Sequence, residues 1–206
     1  MRSLIKHAVP YHSQWMSADL VPEFIAGARS AEDDPLWPKS GADTPDEYAF
    51  WAPRMCGVAC LRMALEYWER PVSPPVPLVR DLVDAGAYVR EGDRVKGLIY
   101  QPFADYVTGR WGLRVQAEPE LPAARVRDFL TGGGLAMLSV HKTIRTLDPV
   151  PPSKGGHLVL AVGCDAETLL IHNPSGLPGT SQEFAPVRWN ALGRFYAGRG
   201  VTLEEA

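Results

Sequence analysis

This sequence of 206 residues contains a cysteine, a histidine and an asparagine whose types and spacing could form a thiol-based catalytic group. Cys56 opens an apolar, helix-forming run three positions after Pro53. The preceding Trp51-Ala52-Pro53 is unsuited to a helix interior, because proline lacks an N–H group. The free N–H groups and positive dipole end of a first helical turn favour a thiolate. Cys56 is therefore a candidate nucleophile, although free cysteines are also common as small buried apolar residues.

His157 and Asn173 are the candidate partners of this thiol. His157 follows Gly155-Gly156 and begins an apolar run, and Asn173 ends the next strand-like run, 16 positions later (173 − 157). A hairpin of the two strands would place the start of one beside the end of the other. The asparagine oxygen could then orient the imidazole towards a thiolate, as in Cys-His-Asn catalysis. A surface histidine and an asparagine-proline turn are the alternative interpretations.

The elements that must position these residues follow from hydrophobic periodicity. Apolar residues recur at three- and four-residue intervals over residues 56–69, which predicts an amphipathic helix. Other helices are predicted over 18–28, 45–50, 77–85, 98–109 and 121–130, after an extended segment at 4–11. Short β-branched or aromatic runs predict strands over 135–140, 157–164, 168–172, 183–187 and 194–198. Helices followed by an antiparallel sheet indicate an α+β fold.

Composition limits the remaining possibilities. A chain with 46% hydrophobic and 22% charged residues is typical of a folded protein, and we expect one domain over residues 1–206. Residues 17–50 are predicted to be an ordered surface excursion, because Trp37, Tyr48 and Phe50 are too apolar for a solvated linker. The net charge of −3 gives no reason to expect a nucleic acid or anionic membrane partner. Without a secretory-type apolar core or a bilayer-length apolar run, a cytoplasmic protein is expected.

Three cysteines do not make a disulfide framework, so reduced thiols are expected. His141 and His172 could suggest a metal site together with Cys56, but no paired spacing of the zinc-site type occurs. We therefore expect neither a metal nor another cofactor.

Four stretches, in this order, resemble the papain-like cysteine peptidases of the bacteriocin-processing, double-glycine leader-peptidase type. They are Val9-Pro10-Tyr11-His12-Ser13-Gln14, the helix from Met55-Cys56-Gly57 to Leu65, Gly156-His157-Leu158-Val159, and His172-Asn173-Pro174. The resemblance implies a papain-like fold whose nucleophile helix packs on the C-terminal antiparallel sheet. It also implies Cys56 as the nucleophile, His157 as general base and acid, Asn173 as the orienting residue, and Gln14 as the side-chain donor of the oxyanion hole.

The sequence departs from the family pattern in three respects. Asn173 stands where Asp is usual, although papain-type enzymes work with Asn. Residues 17–50 are a family-atypical insertion that separates Gln14 from Cys56 by 42 positions (56 − 14). No transporter segment follows, which favours a stand-alone enzyme.

The expected function is thiol-dependent acyl transfer, with peptide-bond hydrolysis through an acyl-enzyme as the default. Two alternatives stay open: an acyltransferase or cyclase acting on a carrier-bound thioester, and an inactive papain-like binding module. The candidate partners are a peptide or acyl-thioester substrate and a carrier protein, for which the basic loop from Lys142 to Lys154 offers a candidate contact surface.

Overall fold

An antiparallel sheet of seven strands forms the centre of the structure, a computed structural model that describes residues 4–206. The described strands are β1 (Ile5–Lys6), β2 (Val89–Glu91), β3 (Arg94–Lys96), β4 (Arg114–Glu118), β5 (Leu135–Val140), β6 (His157–Cys164), β7 (Thr168–His172), β8 (Ala185–Arg188) and β9 (Tyr196–Glu204). The sheet order is β4-β9-β5-β6-β7-β8, and β1 pairs with the C-terminal end of β6, at Gly163 and Cys164. Strands β2 and β3 form a separate hairpin.

Helices lie mostly before the sheet in the chain. They are α1 (Val21–Ala26), α2 (Pro45–Trp51), α3 (Cys56–Tyr67), α4 (Pro75–Asp84), α5 (Tyr100–Trp111), α6 (Ala123–Thr131) and α7 (Trp189–Leu192). Helix α3 packs on β6, which joins the element carrying the cysteine to the element carrying the histidine. Among the helices of residues 4–206, none is both long and apolar enough to cross a bilayer.

The sheet is covered on both faces. Leu158, Leu160 and Val162 of β6 belong to the core formed with α3, α4 and α5, whereas Val159 and Ala161 belong to a second core that includes residues of α6. Alternate residues of a strand point to opposite faces. Because both faces of the sheet are buried, the sequence of β6 is almost continuously apolar and does not alternate between apolar and polar residues.

The α+β arrangement predicted from the sequence is confirmed. The strands at 135–140, 157–164 and 168–172 have the predicted bounds, and the helices at 45–50, 56–69, 77–85, 98–109 and 121–130 are present with shifts of a few residues. The prediction for 18–28 is partly wrong, because the stretch is a 3-10 turn followed by the short α1, which ends at the left-handed Gly27. The extended segment at 4–11 is reduced to β1.

Three strands were not predicted, and one was predicted too short. Strand β4 exposes Arg114 and Gln116 at the edge of the sheet, and the β2–β3 hairpin is short and highly charged, so neither has an apolar strand signature. Strand β9 continues to Glu204, past the predicted end at Gly198, because it pairs with both β4 and β5.

Residues 17–50 are ordered over the surface around one buried carboxylate. Asp34 is 1% exposed and accepts hydrogen bonds from the N–H and hydroxyl of Ser17, from the Leu36 N–H and from the Tyr48 hydroxyl. A buried polar side chain is tolerated when its polar atoms are hydrogen-bonded. This network connects the start of the segment with its middle and with Tyr48 of α2.

Candidate active site

Cys56 is the first residue of α3 and is partly exposed at a cavity of about 370 Å³. The cavity is also lined by His157 and Leu158 at the start of β6. Gly57 lets the walls approach the helix, because a Cβ at this position would lie 3.0 Å from the Tyr88 hydroxyl oxygen. The two other cysteines, one turn further along α3 and at the end of β6, are buried away from solvent.

His157 and Asn173 meet across the β6–β7 hairpin, as the sequence predicts. The imidazole Nε2 lies 2.8 Å from Asn173 Oδ1, and the Ser175 N–H donates to the same oxygen at 3.1 Å. The Ser175 N–H shows that this Asn173 atom is the amide oxygen, which can only accept hydrogen bonds. His157 must therefore be the donor in the 2.8 Å contact, and the ring proton is assigned to Nε2. Nδ1 is then the basic nitrogen of the ring.

Two residues that the sequence analysis did not single out also act on His157. Ser175 Oγ lies 3.1 Å from His157 Nε2, and Arg145 Nη2 donates to that hydroxyl at 2.9 Å. Ser175 was discernible only as part of the turn after Asn173. Arg145 lies 30 positions earlier in a basic loop, and no local pattern signals a contact over that separation.

The surroundings of His157 favour its neutral form. Burial lowers the pKa of His157 to about 4, and the positive charge of Arg145 acts in the same direction. The hydrogen bond to Asn173 opposes them by favouring the protonated ring, but its effect is smaller. Asn173 carries no charge to offset the burial. His157 is consequently a neutral base at neutral pH.

The thiol of Cys56 differs from our expectation of an acidic group. Burial raises its pKa, while backbone N–H groups of Leu158, Gly57 and Cys56 itself lower it by a smaller amount. The start of α3 therefore acts in the expected direction, but the loss of hydration outweighs it. The thiol and the imidazole, which line the same cavity, are therefore both neutral at neutral pH.

Gln14 lies beside the site but not in the wall of its cavity. It is 4% exposed; its N–H donates to Pro174 O at 2.9 Å, and its Nε2 donates to Ala52 O at 3.0 Å. These contacts connect the residue after Asn173 with the turn before Cys56. The second hydrogen on Nε2 is not used by Ala52.

The N-terminal strap, residues 9–15, holds the end of β7 in place. The Tyr11 hydroxyl donates to Asn173 O at 2.9 Å, and the Ser13 hydroxyl donates to Pro174 O at 3.1 Å. His172, next to Asn173, contacts Val9 O through Nε2 at 2.9 Å. The backbone around Asn173 is thereby fixed from the opposite end of the chain.

Residues 17–50 contribute no side chain to the described wall of the Cys56 cavity. They border a second cavity of about 460 Å³, lined by Trp15, Phe24 and Phe50 among others, and Pro53 belongs to both cavities. This segment thus lies beside the site. Within residues 4–206, no group of three His, Cys, Asp or Glu side chains is placed to hold a metal ion.

Comparison with known proteins establishes the fold. No family model matches the sequence, and no curated protein matches it. The crystal structure of the peptidase domain of Streptococcus ComA, a bifunctional ABC transporter involved in a quorum-sensing pathway, matches with a TM-score of 0.51 and 14% identity over 75% of this chain and 93% of that one.

The crystal structure of a Bacillus anthracis protein described as a C39-like peptidase matches with a TM-score of 0.59 and 12% identity, over 99% of this chain and 98% of that one. At these identities the likeness concerns the fold alone. The papain-like fold implied by the sequence resemblance is thereby confirmed.

Proposed function

We propose that this protein is a papain-like thiol enzyme that hydrolyses peptide bonds through an acyl-enzyme on Cys56. The observation that carries the proposal is the 2.8 Å contact between His157 Nε2 and Asn173 Oδ1. This contact commits one ring nitrogen to Asn173 and leaves Nδ1 as a base at the cavity that His157 shares with Cys56. Such a base, held by a third residue, is what activates a thiol nucleophile.

The neutral resting pair determines how the first step proceeds. As the Cys56 sulfur attacks the substrate carbonyl carbon, Nδ1 of His157 takes the thiol proton, so proton transfer accompanies bond formation. The carbonyl oxygen becomes an oxyanion, which the Cys56 N–H stabilises. Gln14 is the expected second donor, but it does not line the cavity in this structure, so its side chain has to move for the second Nε2 hydrogen to reach the oxyanion. Removing one such donor typically costs about 3 kcal/mol of transition-state stabilisation.

The second half of the reaction reverses these roles. The imidazolium returns its proton to the leaving amine, the C–N bond breaks, and an acyl thioester remains on Cys56. Water then attacks the thioester carbonyl while Nδ1 takes its proton, and the thiol is regenerated as the carboxylic acid leaves. An amine or hydroxyl in place of water would give acyl transfer with the same residues.

Mass spectrometry of the acyl-enzyme tests the proposal. The protein would be incubated with a peptide library and with a set of acyl thioesters, and both the adduct on Cys56 and the released products would be measured. We expect the adduct to be absent in Cys56→Ala and turnover to fall more than about a thousandfold. Cys164→Ala, which alters a buried thiol at the other end of β6, is the matched control and should retain both.

The outcomes separate the three functional hypotheses. Hydrolysis of peptides without thioester turnover excludes the acyltransferase or cyclase. Transfer from thioesters without peptide hydrolysis excludes the peptidase. Binding of peptides with no adduct, and with no effect of Cys56→Ala on any turnover, would leave only a binding module.

A further inference from the structure

The cavity at Cys56 has one apolar side and one side that carries a positive charge. Tyr88, Val95 and Leu98, from the β2–β3 hairpin and its flanks, form the apolar side. The sheet contributes the other side, where β9 places Arg199 in the wall. No Asp or Glu lines the cavity within the described residues. The charged side chains that line this space are thus arginines alone, which favours an anionic ligand.

Two arginines line the cavity, and they differ in what they contact. Arg54 donates to the carbonyl oxygens of Phe50 and Asp93, and its guanidinium lies 4.4 Å from the centre of the Phe50 ring. Arg199 is exposed and forms no ion pair within residues 4–206. Arg199 is thus the cation of this cavity that is available to a ligand.

Arg199 also lies close to the proposed base. Its Nη2 is 3.4 Å from the point where a Cβ on Gly155 would lie, and Ser139 Oγ is 3.0 Å from the same point. Gly155 precedes His157 by two residues, which span at most about 7 Å. With no side chain at Gly155, whose φ is +90°, the guanidinium has room beside the start of β6.

We propose that Arg199 selects substrates with an acidic side chain within one residue of the reacting carbonyl. This proposal rests on the proposed function, because it assumes that the substrate carbonyl lies at Cys56. A guanidinium presents a planar fork that matches the two oxygens of a carboxylate. Arg199 and Cys56 line the same cavity, and adjacent Cα atoms of a substrate are about 3.8 Å apart, so the acidic side chain is expected on the reacting residue or its neighbour.

A pair of isosteric alkylating probes tests the subsite without requiring turnover. N-bromoacetyl-glutamate α-amide and N-bromoacetyl-glutamine α-amide differ only in the charge at the end of the side chain. Both form a thioether with Cys56 and release bromide, and the second-order rate is followed by mass spectrometry. We expect the glutamate probe to react about fivefold faster with the wild type, the size of effect for one partly solvated ion pair.

Substitutions of Arg199 identify the cause of any preference. Arg199→Gln should lower the ratio of the two rates to about one, and Arg199→Glu should reverse the preference. Arg188→Gln removes an exposed arginine that does not line the cavity, and it should leave the ratio as in the wild type. Circular dichroism melts check that each variant is folded.

The result separates this inference from the proposed function. A ratio of one in the wild type, or a ratio that Arg199→Gln does not change, would overturn the role of Arg199 even if acyl-enzyme forms normally. A charge preference that depends on Arg199, in a protein that forms no acyl-enzyme with any peptide or thioester, would support a carboxylate-binding subsite at Arg199 and contradict the enzymatic function.

Discussion

Two buried histidines on neighbouring strands, His157 and His172, show how surroundings decide what an imidazole can do. Burial lowers the pKa of both, so both are neutral near pH 7. His172 is fully buried, and its ring is held by the backbone on both sides: the Phe184 N–H donates to Nδ1 at 3.0 Å, and Nε2 donates to Val9 O at 2.9 Å. His157 has only Nε2 committed, to Asn173 and Ser175.

The difference is the number of ring nitrogens that remain available. His172 has none, so it is a fixed structural element that connects the N-terminal strap with β7. His157 has one, at a cavity that also contains a thiol. Burial and a perturbed pKa alone would not have separated the two residues, whereas the hydrogen-bond partners of each nitrogen do.

The largest expected effect comes from replacing each histidine in turn. His157→Gln removes the proposed base, and we expect kcat/KM to fall about a thousandfold with little change in stability. His172→Leu leaves the Phe184 N–H and the Val9 carbonyl without partners, and we expect it to lower the free energy of unfolding by about 2 kcal/mol or more. Activity assays and urea unfolding of both variants measure these effects.

The activity of His172→Leu must be measured well below its melting temperature, so that only folded protein contributes. There we expect kcat/KM within about tenfold of the wild type, because His172 holds the strap but does not take a proton in the reaction. If folded His172→Leu were as inactive as His157→Gln, the distinction between a structural and a catalytic histidine would be wrong.

An intermediate effect is expected from changing the charge at residue 173. In the wild type, the ultraviolet absorbance of the Cys56 thiolate should emerge only at alkaline pH, because burial raises the pKa of the thiol. Activity should fall as the pH drops through about 4, where His157 becomes protonated and can no longer accept a proton. Neither group should titrate between those limits.

Asn173→Asp places a carboxylate beside the ring and should raise the pKa of His157 by about 1 to 3 units. A protonated His157 in turn favours the thiolate, so the thiolate absorbance should extend towards neutral pH. Cys56→Ser provides the baseline for the absorbance. An Asn173→Asp protein with the wild-type titration would show that this position does not control the charge state of the pair.

The smallest effect is expected from Arg145, which reaches His157 through Ser175. Its positive charge lowers the pKa of His157, so Arg145→Gln should raise that pKa by about half a unit, in the same direction as Asn173→Asp. The His157 ring signals in NMR spectra, assigned with His157→Gln, measure the shift. Lys142→Gln removes a charge from the same loop at an exposed position and should change the pKa less.

The sequence predicts the β6–β7 hairpin, which carries His157 and Asn173, because its signals are local. Asp165-Ala166-Glu167 is a tight connection between two apolar runs, and antiparallel pairing then requires the start of β6 to approach the end of β7. The helix that begins at Cys56 was likewise predictable, from the prolines on either side and the apolar stripe between them. These features depend on a few neighbouring residues.

Features that depend on distant contacts were not predictable. Arg199 lies just beyond the strand predicted at 194–198, and only the pairing of β9 with β5 and β4 brings it to the cavity. The charge state of Cys56 depends on how deeply the start of α3 is buried, which periodicity does not report. The position of Gln14 depends on contacts with Ala52 and Pro174, 38 and 160 positions away (52 − 14 and 174 − 14).

The N-terminal strap gives this protein a built-in order of events during its synthesis. Cys56 is synthesised about a hundred residues before His157, the proposed base. The residues of the strap that hold the end of β7 are synthesised even earlier, and they can make these contacts only after Asn173 has been added to the chain. A growing chain therefore carries a cysteine with no proton acceptor and no oriented imidazole. The chemistry proposed at Cys56 therefore requires that the two ends of the chain have met.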